Sequence, residues 1–175
     1  LVGAVDLGVD ERLVVAGQTL SQAFEVRKDP RLATSDADFA KQQELLLKIR
    51  DKLTETHDAI VKLRDVRDQL GTVGDRSKAA GKDTTIAVAA TALSKKLTAV
   101  EEALYQTQNR SGQDPLNYPI RLNNKLSLLT GVVDAADAPP TDQAAAVYAD
   151  LATQIDAQLA ALREALDAGL AEFNR

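Results

Sequence analysis

The chain has 175 residues, of which 45% are hydrophobic and only 3% aromatic, and it carries a net charge of −5 with neither Cys nor Met. That length holds one domain with a core, or one domain and a small appendage. The composition excludes disulfides and thiolate metal sites, leaves little for an aromatic-lined ligand pocket, and includes no apolar run near the ~20 residues of a membrane span. The chain opens on Leu1-Val-Gly-Ala-Val5 rather than on Met, which reads as a segment of a longer polypeptide. Charge is uneven. Residues 75–131 hold eight bases and five acids, whereas 132–175 hold eight acids and two bases. Lys95-Lys96 and its scattered basic neighbours are too thin for a nucleic-acid face, so the contrast predicts a basic helix packed beside an acidic one.

In chain order, the first element is a hairpin. Arg12–Ala16 and Thr19–Val26 are β-rich runs separated by Gly17-Gln18, which suits a tight turn, with Leu20, Phe24 and Val26 on one face. Such a hairpin is marginal alone and must pack on helices or complete a larger sheet. Asp29-Pro30 stops the second strand, because Pro offers no N–H to a ladder.

From Ser35 the period becomes helical. Ser35–Asp38 is a capping segment, with acids where the helix dipole favours them. Phe39, Gln42, Leu46, Ile49, Leu53, Thr56, Ile60, Leu63, Arg67 and Leu70 follow in alternating steps of three and four, a heptad-like seam that Gly71 and Gly74 are expected to end. A second helix is expected to carry Ile86, Ala90, Leu93, Leu97, Val100 and Leu104. A third starts at Pro119, a residue suited to a first turn, with Leu122, Leu126, Leu129 and Val133 on one face. After Pro139-Pro140 a fourth carries Val147, Leu151, Ile155, Leu159, Leu162, Leu166, Leu170 and Phe173.

The expected architecture is thus mainly α: an elongated up-down four-helix bundle with a small N-terminal β-hairpin. Residues 1–34 would be the hairpin and linker left from a preceding β-domain. Residues 35–175 would be the bundle, with helices at about 35–70, 83–108, 119–137 and 141–174.

Few residues offer chemistry. Gly74–Asp83 resembles a phosphate loop only faintly: its glycines are too far apart, and Asp83 stands where a magnesium-binding hydroxyl is needed. His57 is the only histidine, so no multi-His metal site can form. Asp36 with Asp38, and Asp65 with Asp68, pair carboxylates, but glycoside hydrolysis also needs a sugar-shaped cleft. Capping and a solvated helix face explain them more simply. Asn109-Arg-Ser111 is a formal glycosylation sequon. No catalytic, cofactor-binding or metal-binding residue is expected.

The most particular stretch is Asp114-Pro-Leu-Asn-Tyr-Pro-Ile-Arg-Leu-Asn-Asn-Lys-Leu126. Its two prolines force an extended approach to the third helix, and Asn117, Tyr118, Arg121, Asn123 and Asn124 offer polar groups for bracing or for recognition. Bracing is the favoured reading, with Asn124→Ala expected to lower stability by roughly 1–3 kcal/mol.

That stretch, with Leu126–Thr141 after it, resembles the C-terminal region of bacterial sortilin-like, BNR-repeat β-propeller proteins, which are often labelled glycosyl hydrolase-like. There an Asn-Tyr-Pro-Ile-Arg-Leu-Asn-Asn-Lys motif precedes a helix, an Ala-Pro-Pro-Thr type break and a last long helix. Val26-Arg-Lys-Asp-Pro-Arg31 also resembles the junction between β-domain and helical tail. The likeness covers most of 20–175, but Leu13-Val-Val15 stands where a tyrosine-bearing strand belongs. It implies an exported protein, periplasmic, secreted or at the cell surface, whose propeller lies upstream and holds any hydrolase activity. The chain itself is then a non-catalytic accessory domain that packs on or spaces other domains of its polypeptide. An alternative is a module that recruits another protein through its acidic last helix, and a weaker one is an enzyme of unknown type. No cofactor, nucleic-acid partner or membrane insertion is expected.

Overall fold

The computed structural model describes residues 9–24, 28–81 and 84–173. The chain divides into two compact units, Leu1–Ser35 and Asp36–Arg175.

The first unit holds an antiparallel hairpin of β1 (Val9–Val15) and β2 (Gln18–Phe24), in the register Val9↔Phe24, Leu13↔Leu20 and Val15↔Gln18. The turn residues are Ala16 and Gly17, not Gly17 and Gln18 as the sequence suggests. A two-residue hairpin loop that follows the strand twist needs left-handed backbone at both positions. Ala16 at φ 48° and Gly17 at φ 79° supply it, and Gln18 is released to the ladder. Val26, expected on the apolar face, lies outside the described residues, as does Leu1–Val5.

The second unit is a bundle of four helices, so the chain is mainly α with a small N-terminal hairpin, as its periodicities imply. They are α1 (Asp36–Ala80), α2 (Thr85–Leu104), α3 (Leu122–Val133) and α4 (Asp142–Phe173). A single 3₁₀ turn at Asp114–Leu116 lies between α2 and α3.

With 45 residues, α1 is about 68 Å long. The seam read from the sequence faces the core. Gln42, Ile49, Thr56, Ile60, Leu63 and Leu70 are buried, and Leu46 and Leu53 pack against the core from partly buried positions. The helix does not stop at Gly71 or Gly74. A glycine inside a helix costs only about 1 kcal/mol, and the packing of Leu70 and Gly74 against α2 offsets that. A Cβ on Gly74 would lie 3.5 Å from the Ala90 Cβ and 3.9 Å from the Ala87 Cα, so the two helices approach closely there. The true stop is Gly81, whose φ of +65° turns the chain out of the helix and whose N–H donates to the Lys78 carbonyl at 3.2 Å.

The same close approach shifts the buried face of α2. Ala87 and Ala90 fit against Gly74, whereas Ile86, expected on the stripe, is turned outward and is 44% exposed. Leu93, Leu97, Val100 and Leu104 are buried as expected. Tyr105 adopts an extended conformation, so α2 ends at Leu104, four residues before the expected Gln108.

Arg121, at ψ −175°, is also extended, so α3 starts at Leu122 and not at Pro119. Its far end comes early too. Asp134 leaves the helical range, and the Gln42 side chain of α1 donates to the Val133 and Ala136 carbonyls, both at 2.8 Å, satisfying groups that a longer helix would have bonded internally. Leu122, Leu126, Leu129 and Val133 form its buried face.

Thr141 caps α4 by accepting the Ala144 N–H on its hydroxyl at 3.1 Å. The buried stripe of α4 runs through Ala144, Leu151, Ile155, Leu159, Leu162 and Leu166. Val147 is exposed. Its expected place goes to Ala144 and Tyr148, whose hydroxyl reaches the Lys48 carbonyl of α1 at 3.4 Å.

The contacts fix the direction of each helix. Gly74 meets Ala87 and Ala90, and further back along α1 Arg64 and Arg67 meet Glu101, so α2 runs antiparallel to α1. His57 meets Asn123 and Gln42 meets Val133, so α3 is antiparallel to α1 as well. The expected reversal between the second and third helices is therefore absent. Residues 105–121 interrupt what is in effect one descending column made of α2 and then α3. α4 runs parallel to α1, with Lys48 near Tyr148 and Lys52 near Asp156, and it reaches α2 where Gly169 meets Leu93. Four helices thus form three columns.

Candidate functional site

The polar residues singled out in the sequence gather around the break in the middle column. Asp114 organises it. Its carboxylate accepts the Arg110 N–H, the Ser111 N–H at 2.7 Å and the Ser111 hydroxyl at 2.9 Å, and its carbonyl accepts the N–H groups of Asn117 and Tyr118 at 2.9 and 2.8 Å. Donors aimed at the charged form, the Arg110 N–H foremost, hold this carboxyl below its usual range. Gln106, buried at the end of α2, closes the loop by donating to the Pro119 carbonyl at 2.8 Å and accepting the Gln108 N–H at 3.2 Å.

The five candidate residues take different positions on this frame. Asn117 and Arg121 are exposed, Tyr118 is at the edge of exposure, and Asn124 is half-buried. Asn123 is the inward member at 5% exposure. Its Nδ2 lies 3.4 Å from the His57 Nε2, while its buried Oδ1 has no hydrogen-bond partner among the described residues. For that contact to be a hydrogen bond, the amide donates and the ring nitrogen accepts. Among the described residues no hydrogen bond joins the side chains of these five to one another. Asn124, the expected brace, makes no side-chain hydrogen bond to a described residue. The inward role belongs to its neighbour, because Leu122 and Leu126 fix the helix so that position 123 borders the core.

One turn back along α2 is an arrangement that hydrophobic periodicity could not reveal. Glu101 occupies a core position at 2% exposure. Its carboxylate accepts from the Arg64 Nε at 2.5 Å and from Arg67, both on α1. The Arg64 guanidinium also lies 5.0 Å from the centre of the Tyr105 ring, and Arg67 reaches the Thr98 hydroxyl at 3.4 Å. Burial alone would raise the Glu101 pKa, but the hydrogen bonds and charges of Arg64 and Arg67 outweigh it, and the group stays below the ordinary glutamate value. The available signal was Arg67 itself, a charged residue at a seam position of α1.

The remaining candidates resolve into ordinary roles. Residues Gly74–Ala80 of the supposed phosphate loop are helix, and residues 82 and 83 lie outside the described residues. Asp65 and Asp68 are exposed on α1, and Asp38 pairs with Lys41 at 3.2 Å. His57 is exposed apart from its contact with Asn123. In the sequon, Asn109 is half-buried and the Ser111 hydroxyl is committed to Asp114. A cleft of ≈ 160 Å³ lies between α1 and α2 over Gly71, Gly74, Ala87 and Ala90, with Asp75 and Lys78 at its rim. It has room for a few waters rather than for a ligand needing ~300 Å³ or more. Among the described residues no group of three or more His, Asp or Glu side chains could hold a metal ion, and no helix is long and apolar enough to cross a membrane.

No protein-family model, no curated protein and no solved structure matches the chain.

Proposed function

We propose that this chain is a non-catalytic, helical structural domain of a larger exported polypeptide, which packs on or spaces the other domains of that polypeptide. The observation that carries the reading is how its buried polar side chains are used. Gln42 ties α1 to the end of α3, and Glu101 ties α2 to α1. Gln106 closes the inter-helix loop, Thr56 bonds the Lys52 carbonyl within α1, and Asn123 faces His57. Gln42, Glu101 and Gln106 are spent on holding one segment of the chain against another, whereas a reaction centre keeps such groups poised toward a cavity. The export of the parent, to the periplasm, medium or cell surface, and its propeller architecture rest on the resemblance of Asn117–Lys125 and its flanking sequence to sortilin-like, BNR-repeat proteins.

A second reading has one observation in its favour. Asp142, Asp150, Glu164 and Asp167 are exposed along α4 and make no ion pair with a described residue, which suits recruitment of a cationic protein surface.

The test is deletion of residues 36–175 from the parent polypeptide. Under the structural reading the remainder loses solubility or melts at a lower temperature. An unchanged remainder, or reproducible turnover of glycosides, esters or peptides by the 175-residue chain alone, overturns it.

A further inference from the structure

The ion-pair cluster between α1 and α2 holds more positive charge than its buried acid can use. Arg64 and Arg67 both lie on the Glu101 carboxylate, one on each oxygen. Two cations share one anion, which leaves an excess of positive charge at the seam between the helices. The carboxylate is buried, but the arginines are not: the Arg64 side chain is 42% exposed and that of Arg67 29%. A guanidinium also carries more N–H groups than this pairing uses. Among the described residues, Arg64 donates only from its Nε, and Arg67 only from one terminal nitrogen, which serves both Glu101 and Thr98. The terminal nitrogens of Arg64, and the Nε and other terminal nitrogen of Arg67, make no hydrogen bond to a described residue. The Thr98 hydroxyl accepts from Arg67 at 3.4 Å and donates to no described residue, so its own proton is uncommitted too.

These donors are held in place before anything binds. Both guanidinia are anchored on adjacent oxygens of one carboxylate, which keeps like charges within a few ångströms of each other. The Tyr105 ring, 5.0 Å from the Arg64 guanidinium, limits that side chain further. A ligand then pays little for ordering them. Nor is the excess charge met by a nearby acid. Asp68, one turn along α1 from Arg64, and Glu102, beside Glu101 on α2, are exposed and pair with neither arginine.

We propose that Arg64, Arg67 and Thr98 form a binding site for a phosphate group, with Glu101 as the buried residue that orients both arginines. Guanidinium forks match phosphate oxygens in geometry and charge. A phosphate dianion has oxygens enough for donors from three side chains, and its charge offsets the repulsion between the arginines. A carboxylate, with two oxygens and one charge, does both less well. The free ion and a phosphate monoester of a small molecule present this chemistry alike.

The 175-residue chain is titrated near neutral pH with inorganic phosphate and, separately, with glycerol phosphate. Chloride holds the ionic strength constant, and backbone amide and arginine Nε–H resonances are followed by NMR. Saturating shifts centred on Arg64, Arg67 and Thr98, in the millimolar range or below, are expected with both. Tighter binding of the ester assigns the site to a phosphorylated small molecule, and equal or weaker binding assigns it to the free ion. Thr98→Val keeps the shape of the side chain and removes the hydroxyl, so it should weaken binding several-fold with little change in melting temperature. Arg64→Lys keeps the charge but not the fork and should weaken it further. Shifts that fail to saturate, or that scatter over surface lysines such as Lys95 and Lys96, overturn the proposal. So does phosphate binding that neither Thr98→Val nor Arg64→Lys alters.

Discussion

Arg67 of α1 and Glu101 of α2 form a hydrogen-bonded ion pair whose carboxylate lies in the core and whose guanidinium reaches the surface. The two ends of the pair are therefore unequal. A truncated glutamate leaves two arginines that water can reach, whereas a truncated arginine leaves a buried carboxylate short of a donor. We expect Arg67→Ala to cost about 2 kcal/mol or more, and the Arg64→Ala/Arg67→Ala double variant to cost more than either change alone. Glu101→Gln, which retains the shape and an acceptor, should cost less than the double variant. Urea unfolding of the four proteins orders them.

The same carboxylate gives acid sensitivity with a defined sign. Its pKa is lower in the folded state than in the unfolded chain. Its contribution to stability is therefore complete above the unfolded value, near 4.3 for glutamate, and is lost as the pH falls through the folded value. Below about pH 4 the wild type should lose stability faster than Glu101→Gln, and above about pH 6 the gap between them should be constant. Parallel stability curves across the acid range would show that Glu101 does not carry the effect.

Two glycines within helices should respond in opposite directions. Gly71 lies in the interior of α1, and a Cβ added there would meet nothing within 4 Å, so Gly71→Ala should raise stability by roughly 0.5–1 kcal/mol through helix propensity. At Gly169 of α4 the same methyl would lie 2.6 Å from the Leu93 Cδ1. Leu93 is buried and must move, so Gly169→Ala should lower the melting temperature while Gly71→Ala raises it.

Polar bracing should be measurable at Gln42 rather than at Asn124. Gln42→Ala removes the side-chain donor to the Val133 carbonyl and one of two donors to the Ala136 carbonyl, which also accepts the Ala138 N–H, and should cost about 1–3 kcal/mol. Asn124→Ala removes a half-buried side chain without such bonds and should stay within about 0.5 kcal/mol of wild type. Thermal melts of both variants decide the matter, and equal losses would restore Asn124 as a brace.

These contrasts show what the sequence made legible. Period and residue type were enough for the helices and most of their buried faces, because a stripe such as Leu122, Leu126, Leu129 and Val133 can be buried in only one way. Boundaries were harder, since glycine and proline act according to their surroundings. Gly71 and Gly74 continue a helix that packing supports, and Pro119 stays outside a helix that the extended Arg121 postpones. The direction of α3 was not legible either. It depends on contacts such as Gln42 with Val133, 91 residues apart, which no local pattern encodes. At the polar segment the sequence marked the right neighbourhood but the wrong asparagine, because one step along a helix turns a side chain by about 100°.

The interrupted middle column bears on how the chain could be re-sewn. α2 is fastened to α1 through Glu101, and α3 is fastened to α1 separately through Gln42, so neither relies on residues 105–121 for its register. That connector lies where α1 continues unbroken alongside, like a splint across a fracture. New chain ends opened near the exposed Gly112 would leave both pieces docked at their own heights on α1.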